Sequence, residues 1–169
     1  MPSVPNLRTN VLLRSEETGG HVSVTEIVVP PRSAGPPLHT HDFAEAFYPL
    51  EGELIFQVEE AVMSKGPSEL TFAPRNVAHA LANRSDTPAR YLLTCTPAGF
   101  ERHWARIAAD AAGVESPEWA RQPIPEVTVV GPADRGGRVR PPLIRAAGCG
   151  GGGSGERLPR SRTMHAEGA

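Results

Sequence analysis

Two histidines separated by one residue, His39 and His41, are followed after three intervening residues by Glu45, and a third histidine, His79, stands on a later apolar run. On extended backbone, residues two apart project to the same side, so His39 and His41 can face one point. Three imidazoles and a carboxylate suit one divalent transition-metal ion of the first row: iron, manganese, nickel, copper, cobalt or zinc. Such a set leaves coordination positions open for water or a substrate, unlike a closed structural site. The candidate metal ligands are therefore His39, His41, Glu45 and His79.

The elements that must position them are short strands. Residues 10–14 and 21–29 are β-branched and apolar, and the second run alternates, placing His21, Ser23, Thr25, Ile27 and Val29 on one face. Pro30, Pro31, Gly35, Pro36 and Pro37 then exclude regular structure and fix the approach to an extended LHTH piece. EAFYPL and ELIFQV follow, and Glu51-Gly52 between them predicts a tight hairpin. After a loop at SKGPS come ELTFAP, VAHALAN and ARYLLTCTP. Seven or eight short strands with turn signals between them predict an all-β barrel or sandwich.

Beyond the strands, Phe100, Trp104, Ile107, Ala108 and Ala111 recur at helical spacing over residues 99–112. Ser116-Pro117-Glu118 reads as the cap, first turn and acidic start of a second short helix, so the helical segment covers about residues 99–122. EVTVV at 126–130 is expected to form a last strand. The domain is thus expected over residues 1–131, with the low-complexity segment 132–169, including CGGGGSG, as a disordered tail.

Charge narrows the partners. The net charge of −2 is uneven: residues 1–131 hold 10 basic and 16 acidic side chains, and residues 132–169 hold 7 and 3. A domain at −6 is a poor match for a phosphate backbone, so no nucleic-acid partner is expected. No stretch approaches 18 apolar residues, and MPSVPNLRTN lacks the apolar run of a signal peptide. No membrane partner is expected, and with only Cys95 and Cys149 a disulfide framework is not expected either, which points to a reduced, cytoplasmic setting. Cys95, in YLLTCTP, reads as a small buried hydrophobe, and His103 reads as a structural residue of the helix.

The motifs also carry a resemblance. GPPLHTHDFAEAFYPLEGEL resembles the first motif of the cupins, and GPSELTFAPRNVAHALAN their second, carrying over Gly35, His39, His41, Glu45 and Gly52, then Gly66, Pro74, His79 and Asn83. The resemblance implies a cupin-type double-stranded β-helix, or jelly-roll, barrel. Within the family, EAFYPLEGEL, FAPRNVAHALAN and ARYLLTCTPAGFERHW look most like single-domain bacterial proteins grouped with quercetin 2,3-dioxygenase, over roughly residues 10–131. Asn76 stands where the second motif has glycine, and Asn tolerates a positive φ better than other residues with a side chain. Pro49 falls inside an apparent strand and implies an edge or a local break.

The resemblance implies a metal-dependent dioxygenase that takes a flavonol or another small enolic or aromatic compound, with dioxygen as second substrate, and releases carbon monoxide on ring cleavage. Glu45 would be its general base as well as a ligand. Phe47, Phe56, Phe72 and Leu81 either line an apolar substrate pocket above the metal or belong to the ordinary barrel core. A homodimer is the assembly implied. Two other classes share the fold: a non-oxidative metal-dependent isomerase, epimerase or lyase, and a non-catalytic barrel that binds a small molecule.

Overall fold

The computed structural model describes residues 7–133. In chain order the strands are β1 (Arg8–Leu13), β2 (Ser23–Val29), β3 (His39–His41), β4 (Ala44–Glu51), β5 (Leu54–Val58), β6 (Ala61–Lys65), β7 (Thr71–Ala73), β8 (His79–Ala82), β9 (Ala89–Thr96) and β10 (Val127–Val129), with one α-helix, α1 (Glu101–Ala112), between β9 and β10. They form two five-stranded sheets, ordered β1-β2-β9-β4-β7 and β10-β3-β8-β5-β6. Every neighbouring pair is antiparallel. This is the all-β architecture that the strand pattern predicts, in the jelly-roll form that the resemblance implies.

Alternation decides which side chains meet between the sheets. Ser23, Thr25, Ile27 and Val29 of β2 are buried in strict alternation, as are Ala89, Tyr91, Leu93 and Cys95 of β9. With Phe43, Phe47, Leu54, Phe56 and Leu81 they make the core. The apolar contacts of these inward faces are what hold two otherwise separate sheets together.

The hairpin expected at Glu51-Gly52 does not form. β4 pairs with β7 and β9, while β5 pairs with β6 and β8, so the chain crosses from one sheet to the other at this point. Gly52 allows the crossing because its φ is +73° and a Cβ there would lie 2.9 Å from the Cα of Ala89. The tight hairpin is instead β5–β6, closed by Glu59-Glu60 between Val58 and Ala61, with Glu59 at φ 53°. Two acidic residues carry none of the usual turn chemistry, which is why β6 is not legible in the sequence.

Pro49 sits at the break expected of it. The β4–β9 register shifts between Pro49 and Glu51, and β7 pairs only with Glu45, Ala46 and Phe47, so Pro49 lies beyond the end of that ladder. Asn76 has φ 60°, the conformation that glycine would otherwise supply. Asn83, fully buried, donates from Nδ2 to the carbonyls of Pro30 (3.1 Å) and Thr87 (2.8 Å) and accepts from the Ser85 amide at 3.0 Å. The last residue of the second motif thus ties the end of β2 to the loop before β9.

Helix α1 lies against β1, buries Ala105 and Ala109, and ends at Gly113 in the left-handed conformation (φ 66°). A 3-10 turn over Glu118–Arg121 follows, with Pro117 as its cap rather than its first residue. β10 then returns to β3, pairing Val127 with His41, Thr128 with Thr40 and Val129 with His39. Residues beyond 133, including Cys149, His165 and most of the expected tail, lie outside the described residues.

Glu101 clamps the helix to the sheet. It is 0% exposed, and its carboxylate accepts the Ser15 amide at 3.1 Å and the Gly99 amide at 2.6 Å. Burial pushes its pKa up, but these hydrogen bonds outweigh it and hold the group below the ordinary carboxyl value. A depressed folded-state pKa means the stabilisation is present above the ordinary value of 4.5 and is lost as pH falls through the folded value. Glu101→Gln is expected to cost about 1.5–3 kcal/mol at neutral pH, the range for hydrogen bonds to a charged group. In urea titrations the gap from the parent protein should shrink steadily below pH 4.5; a gap independent of pH would overturn this account of the clamp.

Candidate metal centre

His39 and His41 reach the interior because β3 runs in extended register beside β8, where His39 pairs directly with His79. Glu45 comes from β4 in the opposite sheet, facing them across the barrel. One ligand atom from each of His39, His41, Glu45 and His79 lies within 4.8 Å of all the others, and all four residues are buried. His41 Nε2 is 3.1 Å from His79 Nε2, and Glu45 Oε2 lies 2.9 Å from His79 Nε2 and 3.3 Å from His41 Nε2.

The tautomers are set by the backbone. Nδ1 of His39 contacts the Pro37 carbonyl at 2.7 Å, Nδ1 of His41 the Phe43 carbonyl at 2.8 Å, and Nδ1 of His79 the Val77 carbonyl at 2.8 Å. A carbonyl can only accept, so each Nδ1 carries a proton, and each ring, when neutral, presents its Nε2 lone pair. In each case the carbonyl lies two residues away in sequence, so the local strand and turn geometry itself aims the ring.

This arrangement fits a cation. Lone pairs on two Nε2 atoms face each other and an ionised carboxylate, which is unfavourable until a positive charge sits between them. Metal–nitrogen bonds of about 2.1 Å at right angles place neighbouring ligand atoms about 3.0 Å apart. The contacts of 2.9, 3.1 and 3.3 Å match that edge length. A proton can supply that positive charge as well as a metal ion: when the Nε2 atoms of His41 and His79 carry one, burial pushes Glu45 up, but their hydrogen bonds outweigh it and hold the carboxyl at about 2. Burial pushes His79 down, yet the Glu45 hydrogen bond and charge carry it above its ordinary value. His39 is lowered, chiefly by burial.

Aromatic rings buttress the site. Phe43 stacks on His41 with centroids 3.5 Å apart and planes at 4°, and Phe100, just before α1, lies 5.0 Å from Phe43. Phe47 sits 6.2 Å from the His79 ring and 5.2 Å from Phe56, continuing the apolar wall inward. Phe47, Phe56 and Leu81 are all buried, whereas Phe72 is 53% exposed. Phe72 does not line the interior: in β7 its neighbours Thr71 and Ala73 point inward, so alternation turns Phe72 out.

Arg75 and Asn76 join the two motifs. Arg75 Nε donates to Asp42 Oδ1 at 3.0 Å, and the Asn76 amide donates to the His41 carbonyl at 2.7 Å. Cys95 is buried as expected, but it also makes a polar contact that sequence reading missed: its Sγ lies 3.7 Å from Glu45 Oε1. Burial and the neighbouring Glu45 push this thiol well above its ordinary pKa. A hollow of about 380 Å³ opens elsewhere, between β1 and α1, lined by Thr9, Val11, Ala105, Ala109 and Trp119; it gathers no ligand set.

Residues 25–95 match the family model of the Cupin domain. Among solved structures, the chain is similar to the polyketide cyclase RemF from Streptomyces resistomycificus, at 23% identity and a TM-score of 0.50, over 56% of this chain and 68% of that one. It is similar to a predicted oxalate decarboxylase from Thermotoga maritima, at 22% identity and 0.51, over 54% and 80%. It is also similar to KdgF from Halomonas sp., at 11% identity and 0.50, over 57% and 85%. At these identities the likeness establishes the fold and not the reaction. No curated protein matches the chain. No helix among the described residues is long and apolar enough to cross a membrane.

Proposed function

We propose that this cupin domain binds one divalent transition-metal ion through His39, His41, Glu45 and His79 and uses it on a small enolic or aromatic compound, as a dioxygenase of the quercetin 2,3-dioxygenase type. The observation that carries the metal reading is the commitment of all three Nδ1 positions to backbone carbonyls, which leaves three Nε2 lone pairs converging on an ionised carboxylate. The finer dioxygenase reading rests on the resemblance of EAFYPLEGEL, FAPRNVAHALAN and ARYLLTCTPAGFERHW.

A bound metal of this class supplies Lewis acidity and, if redox-active, a route for electrons to dioxygen. The chain's own residues supply the rest. The three imidazoles are held in one tautomer and one orientation by the backbone. Phe47, Phe56 and Leu81 keep the inner wall apolar and exclude water from the ligand side. Glu45 Oε2 lies between the Nε2 atoms of His41 and His79, so ligation is its first role and proton acceptance its second. It takes a substrate hydroxyl proton at Oε2 only when the contact with His79 opens.

The test is metal analysis of tag-free protein after reconstitution with each metal in turn, followed by oxygen-uptake assays on a flavonol panel. About one ion per chain is expected, and a content below about 0.1 per chain overturns the site, since ligands of this kind should fill at modest excess. Bound metal without oxygen uptake overturns the dioxygenase reading and moves the protein to the non-oxidative or purely binding classes.

A further inference from the structure

We propose that Cys95 is a positioning residue for the metal centre: its thiol, backed by Ser23, holds Glu45 so that a single carboxylate oxygen faces the three imidazoles. The inference rests on the metal reading above and concerns how the carboxylate ligand is presented.

Three side chains lie in one row across the first sheet. Ser23 pairs with Cys95, and Cys95 pairs with Glu45, on the adjacent strands β2, β9 and β4. All three point inward and are 1%, 2% and 4% exposed. The two oxygens of Glu45 have separate partners. Oε2 meets His79 at 2.9 Å and His41 at 3.3 Å, while Oε1 accepts from Cys95 Sγ at 3.7 Å. Ser23 lies directly across the β2–β9 ladder from Cys95 with its side chain on the same buried face, so the thiol is packed in place on that side.

The consequence is a choice between two binding modes. A carboxylate free to rotate can close on a metal with both oxygens, which removes one open coordination position. A donor on Oε1 opposes that rotation and keeps the carboxylate attached through Oε2 alone. Four protein ligand atoms then leave room beside the metal for a substrate oxygen and one further small ligand. Carboxylates that bind metals are commonly fixed by such outer hydrogen bonds, and thiols are weak but competent donors.

The experiment uses cobalt(II) as the probe, titrated into the full chain while the visible absorption bands and the dissociation constant are recorded. Circular dichroism checks each variant for folding. Cys95→Ala should change the intensity of the cobalt bands and weaken binding about 3–10-fold, below the about 10–100-fold of stronger outer partners because a thiol is a weak donor. Cys95→Ser, which restores a donor, should recover the parent spectrum. Parent-like bands and affinity in Cys95→Ala overturn the proposal, and so does a Cys95→Ser protein as altered as Cys95→Ala, which would assign the effect to packing. Should Cys95→Ala fail to fold, Ser23→Ala carries the test: a smaller change of the same kind supports the relay, and an unchanged spectrum overturns it. Absence of cobalt bands in the parent protein overturns the metal reading itself, a result distinct from all of these.

Discussion

Replacing His79 with alanine is expected to abolish tight metal binding while the barrel stays folded. His79 is the hub of the centre. Its Nε2 lies 2.9 Å from Glu45 Oε2 and 3.1 Å from His41 Nε2, and its ring is 4.5 Å from that of His39. Loss of a mere hydrogen-bonding neighbour of a ligand weakens metal binding about 10–100-fold, so loss of this ligand should exceed about 100-fold. The fold should survive, because β8 keeps its backbone pairing with β5 and β3 and the variant retains the Leu81 and Ala82 packing. Isothermal titration with the metal found to fill the parent protein, together with circular dichroism, checks both halves. Full metal occupancy in the variant would show that the second motif does not contribute a ligand.

Gly35→Ala is the second large effect, and it acts on the scaffold rather than on the chemistry. Gly35 has φ +67°, and a Cβ there would lie 1.8 Å from the Leu81 carbonyl oxygen and 2.9 Å from its carbon. Both clashing atoms are backbone, so no side chain can swing aside. The expected loss is about 3–5 kcal/mol in urea unfolding, at the high end for one substitution because steric overlap adds to left-handed strain. Gly20→Ala is the natural control: its φ is +84° but nothing lies within 4 Å of a Cβ, so strain alone should cost about 1–2 kcal/mol. Equal losses in the two variants would refute the role of the contact with Leu81. Since Leu81 is two residues from His79, a folded Gly35→Ala protein should also bind metal more weakly.

Three of the four candidate ligands are legible because they are local, and the fourth, His79, stands 34 residues from Glu45. His39, His41 and Glu45 fall within seven residues, and the strand period alone turns the two imidazoles to one side. The same period places His21, Ser23, Thr25, Ile27 and Val29 on one face; the structure buries the last four and leaves His21, which precedes the strand, exposed. Asn76 at φ 60° matches its expected tolerance for a glycine conformation. Periodicity assigns faces; it does not assign partners. Glu51-Gly52 looks like a hairpin turn in isolation, and only the pairing of β4 with β9 and of β5 with β8 shows it to be a crossing between sheets. Phe72 was misplaced because a three-residue strand gives too little alternation to fix its phase, and a slip of one residue reverses every side chain. Cys95 lies 50 residues from Glu45. Their meeting depends on strand register, which no local pattern encodes.

Among the described strands β10 is made last, and yet it completes β3, the strand of His39 and His41. Until it arrives, β3 is a bare edge held to β8 at His39 and His79, while β10 pairs with all three residues of the His39–His41 strand and the Val130 and Gly131 amides bond the Leu38 carbonyl. During synthesis the histidines emerge some 90 residues before the strand that braces them. A nascent chain that has not yet reached residue 126 therefore carries all four candidate ligands with β3 paired on one side only, and closing that edge falls to the last of the described strands.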